Sequence, residues 1–446
     1  MRLKAYPKYK ESGIEWLGEL PEGWEVTKVK YVANFTVSNV DKKYQEGETP
    51  IRLFNYTDVY NNEFLTNDID LMAASASLEQ IRKFNAQNND VLITKDSEDW
   101  RDIARPALVK SSAPDIVCGY HLAIIRPCIK QTVGKFIYRL LQSNLINQQF
   151  QIASNGVTRY GLPKSAIGDS LFTVPPLKEQ QAIASFLDRE TARIDALIQK
   201  KERMIELLKE KRIALITQAV TKGLDPNAKM KDSGIEWLGE VPEHWGIKRL
   251  KYLSTYNDES LPETTDPNYE MLYVDISSVS RIQGITQKDE MVFEDAPSRA
   301  RRVVKDGDTI VSTVRTYLRA IASMINPEEN LIVSTGFAVI RPGGISSGYL
   351  SLVLKSHYVI ESIVSRSVGV SYPAINASEI GEIFILQPPE SEQQEIVNGV
   401  HMETTQMNEL QSKTEYSISL LREYRSSLIH SAVTGKIDLR DSYEEL

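Results

Sequence analysis

The chain has 446 residues, which is too long for one hydrophobic core and points to at least two domains. Hydrophobic content of 41% and charged content of 25% are those of an ordinary globular protein, and the apolar runs are short and broken by charge, which excludes a membrane span. A net charge of −8 excludes a broadly basic nucleic-acid binder, so any such surface must be local. The basic start, Met1 to Lys10, has no apolar stretch after it, so no secretory signal is expected. Cys118 and Cys128 stand at neither disulfide-framework nor zinc spacing and are expected to be plain buried thiols in a reducing cytoplasm.

Taken in order, the chain opens on KYKESGIEWLGELPEGWEVTKVKYV (Lys8 to Val32). A region of short β-branched runs follows, VLIT and HLAIIRP among them, bounded by Asn, Asp, Gly and Pro; these predict strands. Short helices are expected around Phe136 to Phe150. Val174-Pro175-Pro176-Leu177 then precedes a long helical pattern, since proline is tolerated at a helix start. From Lys229 the chain repeats itself. KMKDSGIEWLGEVPEHWGIKRLKYL (Lys229 to Leu253) aligns without a gap on Lys8 to Val32. TIVSTV and FAVIRP predict strands, Gly348 to Ser365 short helices, and Gln387-Pro388-Pro389-Glu390 a second long helix.

The repeat carries further information. Trp16 and Trp237 are offset by 221, but the Glu-Gln-Gln runs at Glu179 and Glu392 by 213. The difference must fall in the inserts, where NNDVLIT (Asn88 to Thr94) echoes KDGDTIVS (Lys305 to Ser312) and AIIRP (Ala123 to Pro127) echoes AVIRP (Ala338 to Pro342). One frame therefore carries two mixed α/β inserts that differ in sequence and slightly in length.

In the long helices, Leu187, Thr191, Ile194, Ile198, Lys201, Ile205, Leu208, Arg212, Leu215 and Ala219 step by four and three. A shift of 213 gives Val400, Thr404, Met407, Gln411, Thr414, Ile418, Leu421, Arg425, Leu428 and Ala432. Both sets have coiled-coil spacing, the second weakened by its Gln and Thr. Gly223 and Gly435 mark the ends. Each helix of about 45 residues would span roughly 65 Å and needs a partner along its stripe, which its own copy can supply.

No catalytic constellation emerges. Neither Pro-Pro pair has an amide or carboxylate before it and an aromatic after it, as a base methyltransferase requires. The run ending Gly435-Lys436-Ile437 lacks the first glycine and the Ser/Thr of a phosphate loop, and the five histidines are not at metal-ligand spacing. What the inserts offer is polar and aromatic loops. In the first, Thr94 to Pro106 collects Lys95, Trp100, Arg101 and Arg105, and Asn155 to Pro163 offers Thr158, Arg159 and Tyr160 between glycines. In the second, Arg299, Arg301 and Arg302 precede Arg315, Tyr317 and Arg319, and Ser371 and Tyr372 occupy the matching glycine loop. Arginine on a loop can grip a guanine edge bidentately or hold a phosphate, so these fifteen residues are the candidate DNA contacts.

The SGIEWLGE-PE-W signature, the Gly-Val-Thr-Arg loop before PP-x-x-EQ, and the terminal long helix resemble the specificity subunits of Type I restriction-modification enzymes. The resemblance covers the whole chain in the family's order. It implies target-recognition domains at 1–174 (1–32 the repeated scaffold segment) and 229–387 (229–253 the second copy), a central long helix at 175–228, and a distal helix and tail at 388–446. The fold class expected is α+β, with two antiparallel long helices forming a coiled coil and the tandem repeat giving a pseudo-two-fold. Double-stranded DNA, two methyltransferase (M) subunits and restriction/translocase (R) subunits are the implied partners, in the cytoplasm and not at a membrane. S-adenosylmethionine, ATP and magnesium would belong to those partners, and this chain would hold no cofactor, metal or catalytic site. The rival readings are a stand-alone bipartite DNA-binding regulator and a coiled-coil scaffold that binds no DNA.

Overall fold

The computed structural model describes residues 4–281 and 283–440; the last residues of the expected distal tail, 441–446, lie outside them. The chain forms two compact units, Met1–Lys201 with Tyr416–Leu446, and Glu202–Glu415. Each unit thus holds the start of one long helix and the end of the other, a division that cuts across the linear order of the repeats.

In the first unit the strands Ala33–Val37, Leu122–Pro127, Val91–Thr94, Pro106–Val109 and Phe64–Leu65 make one sheet, in that order. All pairs are antiparallel except the last. A second sheet has the order Ile116–Cys118, Thr49–Phe54, Met72–Ala76. Val91, Leu92 and Ile93 are buried without alternation because the central strand is covered on both faces. Helices Gly134–Leu141 and Asn144–Ala153 bury Phe136, Leu140, Ile146 and Phe150. Cys118 is buried and Cys128 only half-buried; both are free thiols.

The second unit repeats this plan. Ser254–Tyr256, Phe337–Pro342, Thr309–Ser312 and Ile321–Ser323 form one antiparallel sheet. Asp289–Val292, Glu270–Val274, Leu331–Ser334 and Ala300–Val303 form the other. Helices Ser347–Lys355 and His357–Arg366 follow, split at the buried Ser356. The two sequence echoes acquire a shared cause. Arg126 grips buried Asp90 at 2.8 and 2.6 Å, and Arg341 grips buried Asp308 at 2.9 Å through both nitrogens. Each bidentate pair ties the turn before a central strand to the end of its neighbour.

The long helices run Leu177–Lys222 and Glu390–Val433. Gly223 and Gly435 end them at φ +75° and +71°, left-handed backbone that glycine adopts without strain. Every residue of both predicted stripes is buried or half-buried. Segments of the two helices meet antiparallel inside each unit. In the first, Arg425 bonds Asp195 at 2.9 Å, and buried Trp24 donates to Glu179 at the start of one helix while touching Gly435 at the end of the other. In the second, Arg212 bonds Asn408, and Gly223 lies against Trp245 and Glu392. The first Gln of each run is a buried bracket: Gln180 bonds Val133 N–H and the Pro175 carbonyl, Gln393 the Ser346 N–H and the Pro388 carbonyl. No helix among the described residues is long and apolar enough to cross a membrane.

Candidate nucleic-acid interface

In the first unit the chain leaves the central strand at Thr94 and pairs at once with the glycine loop. Ser97 lies opposite Tyr160 and Asp96 opposite Gly161, while Leu162 N–H donates to the Lys95 carbonyl. Two loops some 65 residues apart are thereby joined edge to edge. Lys95 Nζ bonds Asp96 at 2.7 Å, Asp96 bonds His121 Nδ1 at 3.1 Å, and Arg159 Nη2 lies 2.9 Å from His121 Nε2. Burial is the largest influence on His121 and pushes its pKa below the usual range; Arg159 acts the same way, and Asp96 opposes both. His121 is therefore neutral at neutral pH. Tyr160 is half-buried, whereas Thr158 and Arg159 are exposed.

The other predicted residues sit beside this junction. Trp100 is 47% exposed on a short 3-10 turn, Trp100–Asp102, capped by Asp99. Arg101 is exposed but held by Asp99 at 2.6 Å, a local clasp that a phosphate would have to displace. The Arg105 guanidinium lies 4.2 Å from the Tyr60 ring centroid, and Tyr60 stacks on Tyr56, whose hydroxyl meets Ser97. Tyr56, Tyr60, Asp96 and His121 escaped the sequence reading. The signal available was Asn55-Tyr56-Thr57-Asp58, a capping box that opens a short helix with tyrosines one turn apart.

The second unit builds the same junction from other side chains. Val314 bridges Ala374, Ile375 N–H donates to the Thr313 carbonyl, and Thr316 Oγ1 donates to Ser367 Oγ. Arg315 stacks on Tyr372 at 5.1 Å. Both Arg315 and Arg319 have φ +52°, bracketing the turn that presents Tyr317, 54% exposed. Such left-handed non-glycine backbone is strained and is sustained by the surrounding pairing. Arg319 bonds Glu361 at 2.8 Å, and Ser371 is exposed on the loop tip.

The arginines before this loop behave differently from the expectation. Arg301 and Arg302 lie in the strand Ala300–Val303, because backbone pairing with Leu331–Ser334 captures the segment. Arg301 is half-buried over the Phe293 ring at 4.4 Å, and Arg302 keeps a buried Nε without a partner among the described residues. Exposed Arg299, 3.5 Å from Asp275, remains near the junction, since its carbonyl accepts from Thr335 N–H beside Gly336 and Thr313.

The glycine loops correspond residue by residue in sequence. Gly156 (φ +150°) and Gly369 (φ +121°) each turn so tightly that a Cβ would meet the carbonyl oxygen three residues on. Val157 and Val370 at the next position are almost fully exposed, Thr158 matches Ser371, and Arg159 matches Tyr372. A polar-aromatic tip held by the same backbone pairing in both units is chemically suited to contacting base edges or phosphates.

Comparison with known proteins agrees. Residues 21–207 match the model of the Type I restriction modification DNA specificity domain. The putative type I restriction enzyme MjaX specificity subunit of Methanocaldococcus jannaschii is 22% identical, over 97% of this chain and 98% of its own length. The EcoKI specificity subunit of Escherichia coli K12 is 21% identical, over 94% and 90%. Two solved structures share the fold. The HsdS subunit from Thermoanaerobacter tengcongensis has a TM-score of 0.56 at 16% identity, covering 94% of this chain and 98% of that one. A chain from a study of assembly and conformational transition in the type I restriction-modification system has a TM-score of 0.70 at 17% identity, covering 94% and 99%. The chain thus contains a match to the Type I restriction modification DNA specificity domain and is similar over most of its length to type I specificity subunits.

Proposed function

We propose that this chain reads an asymmetric, bipartite site in double-stranded DNA and scaffolds two M subunits and the R subunits that join them. Each recognition domain, 1–174 and 229–387, would take one half-site, and the helices at 175–228 and 388–446 would form one antiparallel coiled coil that sets the spacing. The tandem repeat would place the domains about a pseudo-two-fold, as a symmetric dimer places two reading heads. The observation that carries this reading is the matched loop junction: the same backbone pairing presents Lys95, Arg159 and Tyr160 in one unit and Arg315, Tyr317 and Tyr372 in the other. A common frame with different side chains predicts two unlike half-sites. Base contacts would specify each half and phosphate contacts fix its register. Trp100, Arg101, Arg105, Thr158, Arg299, Arg319 and Ser371 flank these tips, whereas Arg301 and Arg302 are better suited to structure.

The test is to co-express the chain with its M subunits in a methylation-free host and sequence the methylated adenines. The expected outcome is one motif of two different halves separated by a fixed unread gap. A palindromic motif, or none in a host where the assembled complex is recovered, would overturn the reading.

A further inference from the structure

The second unit has a half-open cavity of about 390 Å³ between the helix Ser347–Lys355 and segments of both long helices. Among the described residues, four basic side chains line it, Arg212, Arg281, Lys355 and His401, and no carboxylate does. The partners of the three permanent or near-permanent cations are neutral. Lys355 Nζ donates to the Ser323 hydroxyl at 2.8 Å, Arg281 Nη2 to the Lys355 carbonyl at 2.9 Å, and Arg212 to the Asn408 amide oxygen. Glu361, the carboxylate that acts on Arg281, is itself bonded to Arg319, whose charge acts in the opposite sense.

Holding partly buried like charges together without a counter-charge is costly. Burial disfavours the charged form of all three, and on Lys355 a neighbouring cation adds to it. Burial, and then the charge of Arg212, pushes the Lys355 amine down to about 8, and burial lowers Arg281 and Arg212 as well. The cavity wall also includes Ser347 and Gly348 in the first turn of their helix, where backbone N–H groups have no partner within the helix and favour negative charge. The matching cavity of the first unit, lined by Asn89, Gly134, Lys135 and Ala184, contains Asp90 bound to Arg126, and its Lys135 lies 3.6 Å from Asp188. Each cation there has a carboxylate partner, which Arg212, Arg281 and Lys355 lack among the described residues.

We infer that this cavity is a binding site for a phosphate-class oxyanion, drawn by the positive charge of Arg212, Arg281 and Lys355 in its wall. The site stands whether or not the chain reads DNA. Its phosphate could belong to a free phosphate ester or to the DNA backbone, and the same experiment separates the two sources.

The full chain, purified in phosphate-free buffer, is titrated with inorganic phosphate by calorimetry and by thermal melting, with chloride at matched ionic strength as the control. The expected result is saturable binding of one phosphate per chain and a rise in Tm that chloride does not reproduce. Lys355→Met, which keeps the bulk and removes the charge, should weaken phosphate by about ten-fold, the worth of one charge-assisted hydrogen bond. A DNA duplex that displaces the phosphate assigns the site to the backbone; phosphate retained on the DNA-bound protein assigns it to a free ester. Either result upholds an anion site. Equal effects of phosphate and chloride, or undiminished binding by Lys355→Met, would overturn it. Should that variant not fold, calorimetry on the unaltered chain decides, since absence of a saturable phosphate signal is fatal on its own.

Discussion

Arg159 shows how much a single side chain's role depends on its neighbours. It is exposed at a loop tip, yet its guanidinium is already steered by the edge of buried His121, which Asp96 holds in turn. An arginine aimed in advance loses less freedom on binding than one waving in solvent. If it reads a base edge, Arg159→Ala costs about 1–3 kcal/mol and relaxes one position of one half-site. If it holds a phosphate, affinity falls for all sequences and the salt slope drops by about one. Titrating cognate and single-base-altered duplexes with the assembled methyltransferase at two salt concentrations separates these, and unchanged binding throughout removes the loop from the interface. His121 adds a pH dependence of definite sign. Its folded pKa lies below the unfolded value, so below about pH 6.5 the unfolded chain binds the proton first and stability falls with pH. His121→Asn should flatten part of the decline in Tm between about pH 7 and 5. His430, lowered by burial in the same direction, leaves a residual slope, so the comparison is between variant and parent.

Among the elements, the central strands and their Asp–Arg clasps are the joints the two inserts share. The clasps are not equally redundant. Arg126 has Asp90 as its carboxylate, whereas Arg341 also meets Glu259 at 2.9 Å and Asp258 at 3.5 Å. Removing one partner of a buried pair strands the other, so Asp90→Asn should cost about 3 kcal/mol. Asp308→Asn should cost about half as much, because Glu259 still faces its arginine. Urea unfolding followed by hydrogen exchange in Val91–Thr94 and Thr309–Ser312 checks both values, and equal costs would refute the asymmetry. The Gln180 and Gln393 brackets repeat the same logic at the helix starts, which explains a glutamine fully enclosed at each Pro-Pro junction.

At the scale of the whole molecule, modularity is the issue. If the inserts carry the reading tips, exchanging 33–174 for the insert of another specificity subunit should alter one half of the methylated motif and leave the other untouched. Methylome sequencing of the chimaera checks this, and changes in both halves would contradict independent reading. Lengthening the stretch from Lys222 to Ala228, between the first long helix and the second scaffold segment, should widen the gap between half-sites without altering either. A gap of unchanged length would show that the spacing is set elsewhere.

Local sequence was enough for much of this. Self-similarity disclosed the repeat, the four-three spacing disclosed both helix stripes, and Gly223 and Gly435 marked ends that have left-handed backbone in the structure. Such signals survive because helical period and turn chemistry depend on residues a few positions apart. Tertiary structure alone decided which loop meets which. It joined Asp96 and Ser97 to Tyr160 and Gly161, drew Arg301 and Arg302 out of a supposed loop into a strand, and set buried His121 beneath Arg159. It also divided each long helix between two units. These outcomes depend on backbone pairing and charge pairing between residues tens to hundreds of positions apart. Composition and periodicity carry no record of which distant edge a strand will find or which carboxylate an arginine will reach.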